Sequence, residues 1–174
     1  MAAKRARIEP YLKRLYGYAY SLAGDRHRAE DLVQECAIRA LAAKNAPADE
    51  PAYRAWLFRI LRNAFYDRRR RERIAAEVPD DGNFSGTLEY WQGDERFISV
   101  LTVKLEMAKL PPQQREILAL IDIVGLSYAE AAGFLKVPVG TIMSRISRAR
   151  RVLLAAVTAS NVHELRVARK KGTA

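Results

Sequence analysis

One stretch, Leu126 to Arg151 (LSYAEAAGFLKVPVGTIMSRISRARR), restricts the fold more than any other in the chain. Ser127 followed three residues later by Glu130 is a capping box, in which each side chain satisfies a backbone N–H that a helix start leaves unpaired. The helix it opens is short, because Lys136, Val137 and Pro138 make a tight turn. A second helix starts at about Val139, where Pro138 suits a first turn that has no N–H to lose. Ala131 and Ala132 are small enough for a close helix crossing, and Leu135, Val137, Ile142 and Ile146 supply the contacts. The pattern predicts a helix-turn-helix.

In the second helix Ile142, Ile146, Ala149 and Leu153 recur at steps of four, three and four, which is one buried face. Met143, Ser144, Ser147 and Arg148 then face outward with Arg145, Arg150 and Arg151 beside them, and no acid occurs from Val139 to Arg151. A helix that reads DNA needs this arrangement, with side chains for base edges in its early turns and cations for phosphates. An amphipathic helix with a solvated basic face has the same pattern, so the rest of the chain must decide.

The 174 residues carry 30 Lys and Arg against 20 Asp and Glu, a formal charge of +10 that points to a polyanionic partner. The charge is blocked. Arg54 to Arg73 holds eight Arg against Asp67 and Glu72, whereas Ala75 to Ile98 holds six acids against Arg96 alone. One cysteine, Cys36, excludes an internal disulfide and reads as a small core residue in a reducing compartment. Two histidines allow no zinc-type cluster. No apolar run approaches the ~20 residues of a membrane span, so no membrane insertion and a cytoplasmic location are expected. No Gly-rich phosphate loop, nucleophile with a base partner or metal set is visible, which argues against an enzyme and against a cofactor.

Taken in order, Met1 to Arg7 reads as a disordered basic leader. A helix follows with Leu12, Leu15, Tyr16, Ala19, Tyr20 and Ala23 on one face, closed by Gly24; Asp25 opens the next, with Ala29, Leu32, Val33, Cys36 and Ala40 buried. Asn45 to Pro51 reads as a loop. A long helix from about Ala52 to Arg73 buries Trp56, Leu57, Ile60, Leu61 and Ala64 and ends in Arg68, Arg69, Arg70 and Arg71. Asn63, Phe65 and Tyr66 beside that run suit a surface that holds unstacked bases while cations hold the backbone. Ala75 to Ser99 reads as a linker with one or two aromatic anchors. A helix is expected from Phe97 to Leu110, another from the Pro111-Pro112 break to Gly125, and the tail beyond Asn161 reads as frayed.

AEDLVQE (Ala29 to Glu35), WLFRILRN (Trp56 to Asn63) with its Arg-rich end, LPPQQREIL (Leu110 to Leu118) and GLSYAEAA…VPVGTIMSRISRARRVL follow one another in an order that resembles the ECF (extracytoplasmic-function) sigma factors of the bacterial sigma-70 family. The resemblance covers about Pro10 to Leu154. It implies an all-α chain of two small helical domains, residues 8–74 and 100–160, joined by a flexible acidic linker at 75–99, the second domain a helix-turn-helix. It implies binding to core RNA polymerase through the polar face that bears Asp31, Gln34 and Glu35. That face is acidic in a basic protein, as suits a docking site for a basic protein surface.

By the same resemblance, Asn63, Phe65, Tyr66 and Arg68 to Arg71 would read the minus-ten promoter element as single strands, with a flipped base near Asn63. Asp67 would orient Asn63 or an Arg. Thr141, Met143, Ser144, Arg145, Ser147, Arg148 and Arg150 would read the minus-thirty-five element, bases at Met143, Ser144, Ser147 and Arg148 and backbone at the others. Met143 stands where Arg or Lys is usual, and Ser147 replaces a larger side chain in some members. An anti-sigma protein is an implied further partner. A sigma mimic that sequesters an anti-sigma protein is an alternative, which the retained arginines oppose. A helix-turn-helix repressor is another, opposed by the AEDLVQE and WLFRILRN motifs.

Overall fold

In a computed structural model that describes residues 2–76 and 95–170, every element among the described residues is helical. The order is α1 (Ala2–Ile8), a 3-10 turn (Glu9–Tyr11), α2 (Leu12–Ala23), α3 (Arg26–Ala42), α4 (Glu50–Ala76), α5 (Glu95–Lys109), α6 (Pro112–Leu118), a π-helical segment (Ala119–Ile123), α7 (Tyr128–Leu135) and α8 (Val139–Lys170).

Local chemistry sets the helix ends. Gly24 adopts φ 70 and its N–H donates to the Tyr20 carbonyl at 2.8 Å, the left-handed closure that glycine makes without a Cβ penalty. Asp25 then caps α3 by accepting the Arg28 N–H at 2.8 Å. Asp49 does the same for α4 through the Ala52 N–H at 2.9 Å, so that helix starts at Glu50, inside the stretch read as a loop. α3 buries Ala29, Leu32, Cys36 and Ala40 against α2 and α4, and α4 answers with Tyr53, Leu57, Phe58, Leu61 and Ala64.

Several expectations need correction. The N-terminal segment is a helix, not a disordered leader: Lys4 Nζ donates to the carbonyls of Leu41 (3.1 Å) and Ala43 (2.7 Å), and Arg7 donates to those of Pro47 and Ala48, both at 2.7 Å. These cations close the exposed carbonyls after α3, which α1 reaches only in the folded chain. α5 begins at Glu95, inside the stretch read as linker; Glu95 to Lys109 contains no Gly or Pro to stop the helix from running back. The rest of that linker, residues 77–94 with its aromatic pair Tyr90 and Trp91, lies outside the described residues. The backbone of α8 stays helical to Lys170, beyond the point read as frayed.

The buried face of α2 also differs from the expected one. Leu15, Tyr18, Ala19 and Leu22 are buried, Tyr16 and Tyr20 only partly, and Leu12 is exposed. The reason is that α2 has partners on two sides, α3 and α4 on one and α6 with the π segment on the other. Gly17 sits on this second side, where a Cβ would lie 2.9 Å from Ile123 Cγ2. One apolar core therefore runs through both halves of the chain, from Ile8 to Ala149.

Candidate nucleic-acid interface

The helix-turn-helix forms as its local chemistry demands. Ser127 Oγ accepts the Glu130 N–H at 3.2 Å and the Ser127 N–H donates to Glu130 Oε2 at 2.7 Å, which completes the capping box. Lys136 ends α7 at φ 56, a left-handed position for a residue with a Cβ. Its N–H donates to the Ala132 carbonyl, and the Val137 N–H does so as well at 3.1 Å. The Pro138 carbonyl accepts the Thr141 N–H at 2.9 Å and so starts α8.

Ile142, Ile146 and Ala149 are buried under α8, with Leu153 half-buried behind them. Truncating either buried isoleucine to alanine should cost about 2–5 kcal/mol. With that face fixed, Met143, Ser144, Arg145, Ser147, Arg148, Arg150 and Arg151 are exposed and Thr141 is half-buried. The residues expected to read DNA thus share one accessible surface. One is engaged within the protein: Arg150 Nη2 donates to Asp122 Oδ1 at 2.6 Å, and that carboxylate holds the guanidinium pKa above its ordinary value. The Ser144 hydroxyl donates to the Thr141 carbonyl at 3.1 Å.

At the end of α4, Asn63, Arg70 and Arg71 are exposed, while Phe65, Tyr66, Arg68 and Arg69 are half-buried. Phe65 and Tyr66 meet edge to face with centroids 5.1 Å apart, and the Arg69 guanidinium lies 6.0 Å from the Phe65 ring. Asp67 accepts from Arg71 Nε through its backbone carbonyl at 3.4 Å.

Asp31 and Arg68, which sequence reading places on two different surfaces, form an ion pair at 3.2 Å. Asp31 from α3 and Arg68 from α4 line a groove of roughly 690 Å³ between the two helices, together with Gln34, Glu35, Ile38 and Arg71. Ile38 is 67% exposed there, an apolar residue set among charges. Glu35 is bound by Arg39 one turn along the same helix.

The group that sequence reading missed is Glu116. Its side chain is almost fully buried, yet it accepts Arg62 Nε at 2.7 Å and the hydroxyls of Tyr18 and Tyr66, each at 3.1 Å. Burial and then the Glu116 charge push Tyr66 up to about 12, and the same two causes raise Tyr18. A second ion pair, Arg54 with the capping-box Glu130, ties α4 to α7. Both pairs span more than fifty positions of sequence, so no local signal could have disclosed them.

The Sigma-70 region 2 model matches residues 7–74 and the Sigma-70, region 4 model matches residues 102–153. ECF RNA polymerase sigma factor EcfG of Rhodopseudomonas palustris is 43% identical over 147 residues, 81% of this chain and 77% of that protein. The chain belongs to the ECF sigma factors of the sigma-70 family. ECF RNA polymerase sigma factor SigE of Mycolicibacterium smegmatis is 38% identical over 153 residues, 84% of this chain and 58% of that protein. Among solved structures, the sigma factor RpoE in complex with the anti-sigma factor NepR from Bartonella quintana superposes with a TM-score of 0.72 at 31% identity, covering 91% of this chain and 98% of that one. As in the family, the chain is a transcription initiation factor and not an enzyme. No helix among the described residues is long and apolar enough to cross a membrane.

Proposed function

We propose that this sigma factor docks on core RNA polymerase through the α3 groove and brings it to promoters with two DNA-reading surfaces. Residues 8–74 form the polymerase and minus-ten domain, and residues 100–160 form the minus-thirty-five domain. Asp31, Gln34 and Glu35 meet a basic polymerase surface, with Ile38 as an apolar centre to the contact. Asn63 and Phe65 take unstacked bases of the minus-ten element, and Arg69, Arg70 and Arg71 hold phosphate. Tyr66 joins that surface once Glu116 releases it. Thr141, Met143, Ser144, Arg145, Ser147 and Arg148 enter the major groove of the minus-thirty-five element, with Arg150 at the backbone.

The observation that carries this reading is the exposed face of the acid-free stretch Val139 to Arg151 at the start of α8, on a helix-turn-helix that the capping box and Ile142 hold in place. The polymerase performs the chemistry, in the cytoplasm. The sigma factor contributes binding energy that offsets a few kcal/mol of unstacking per base. An anti-sigma protein competes for the polymerase-docking face, a role supported by the anti-sigma complex of the related RpoE.

Run-off transcription with purified bacterial core polymerase, this protein and fragmented genomic DNA tests the proposal. Defined start sites that share two upstream elements are the expected result, and Asn63→Ala should abolish opening without weakening core binding. Tight core binding with no start sites would overturn the promoter-reading assignment. Absence of core binding would overturn the docking assignment.

A further inference from the structure

The first turns of α8 are unusual for a surface aimed at DNA. Val139 is 42% exposed and Met143, one turn on along the same side, is 53% exposed. These are two of the large apolar side chains left open to solvent, and both lie at the end of the helix that points into a groove in helix-turn-helix docking. Between them stands Gly140, whose position faces open space with no heavy atom within 4 Å of an added Cβ. Among the described residues nothing closes over this patch. Ser144, which follows it, already spends its hydroxyl proton on the Thr141 carbonyl. The early reading positions therefore offer methyl groups and a thioether where a hydrogen-bonding fork would otherwise be.

Charge says what covers the patch. Arg145, Arg148 and Arg151 stand exposed beyond it and form no ion pair among the described residues, whereas Arg150 is held by Asp122. An apolar patch rimmed by free guanidiniums matches a duplex, in which phosphates flank the groove floor. The major groove displays one apolar feature, the C5-methyl group of thymine. Gly140 lets the backbone approach closely enough for a short contact.

We infer that Met143, backed by Val139, is a specificity-determining residue that selects an A·T pair in the upstream promoter element by contact with the thymine methyl group. This inference rests on the proposed promoter reading. It makes a distinct prediction: recognition at that position depends on a methyl group and on no hydrogen bond from Met143.

The test uses the reconstituted holoenzyme on a promoter found by start-site mapping, with each thymine of the upstream element on either strand replaced in turn by deoxyuridine, which lacks only the methyl. At one position the substitution should weaken open-complex formation about fourfold, the effect of one buried methylene-sized group. In Met143→Ala holoenzyme that penalty should shrink to near unity, with other positions unchanged. Met143→Arg should shift preference at the same pair toward guanine. Both substitutions lie on the exposed face and leave the core untouched. A holoenzyme that selects starts but ignores every thymine methyl, or a penalty that persists in Met143→Ala, overturns the inference alone. A holoenzyme that selects no starts overturns the promoter reading and the inference with it.

Discussion

Arg62 and Glu116 meet across the two halves of the chain, Arg62 Nε donating to Glu116 Oε1 at 2.7 Å, with Tyr18 and Tyr66 hydroxyls on the same carboxylate. A buried carboxylate with three donors is well satisfied, and removing it strands all three. Glu116→Ala should lower unfolding free energy by about 3 kcal/mol, the lower part of the range for breaking a buried pair because Arg62 keeps some access to water. Urea denaturation at pH 7 measures this. A change below about 0.5 kcal/mol would mean that the cluster does not hold the halves together.

Gly17 gives a second handle on that junction. Alanine normally gains about 1 kcal/mol over glycine inside a helix. Here its Cβ would fall 2.9 Å from Ile123 Cγ2, too close without displacing the π segment. Gly17→Ala should therefore destabilise the protein by about 1–3 kcal/mol. In an Ile123→Ala background the same change should stabilise it. Opposite signs in the two backgrounds, read from denaturation midpoints, are the expected outcome.

The acid limb of stability should report on Glu130. Partial burial pushes its carboxyl up, but hydrogen bonds from the Ser127 N–H and hydroxyl and from Arg54 outweigh burial and leave it below the ordinary carboxylate value. A carboxylate with a depressed folded pKa stabilises the fold above its unfolded value, about 4.3, and loses that contribution as pH falls through the folded value. Glu130→Gln should lower thermal stability at pH 7 and flatten the decline between pH 5 and pH 3. An unchanged acid limb would contradict this account.

Cys36 should be silent. Burial pushes its thiol up to about 12, and Sγ lies 3.4 Å from the Leu57 carbonyl. At pH 8 the native protein should react with a thiol reagent far more slowly than the urea-unfolded chain. Comparable rates would show that the α3–α4 packing opens readily.

Much of the fold was legible because its signals are local. The Ser127–Glu130 box, the Gly24 and Asp25 boundaries, the stripe under Cys36 and the Ile142–Ile146 face each depend on residues within a few positions. What escaped is set by distance in sequence. Lys4 and Arg7 find their carbonyl partners about forty positions on, and Tyr18 finds Glu116 at a separation of 98. For the same reason α2 read as a helix with one buried face, although the C-terminal half covers a second. The candidate surfaces were legible as exposed charge, but the coupling of Asp31 to Arg68 across the groove was not.

The hydrogen bonds that Glu116 receives set a threshold for any ligand that needs the two halves apart. Such a ligand binds with its intrinsic affinity multiplied by the fraction of molecules already parted. Each ~1.4 kcal/mol in the junction lowers its apparent affinity tenfold. The strength of one carboxylate in α6 thus enters the binding constant of every partner that must part the halves, including partners that never touch Glu116.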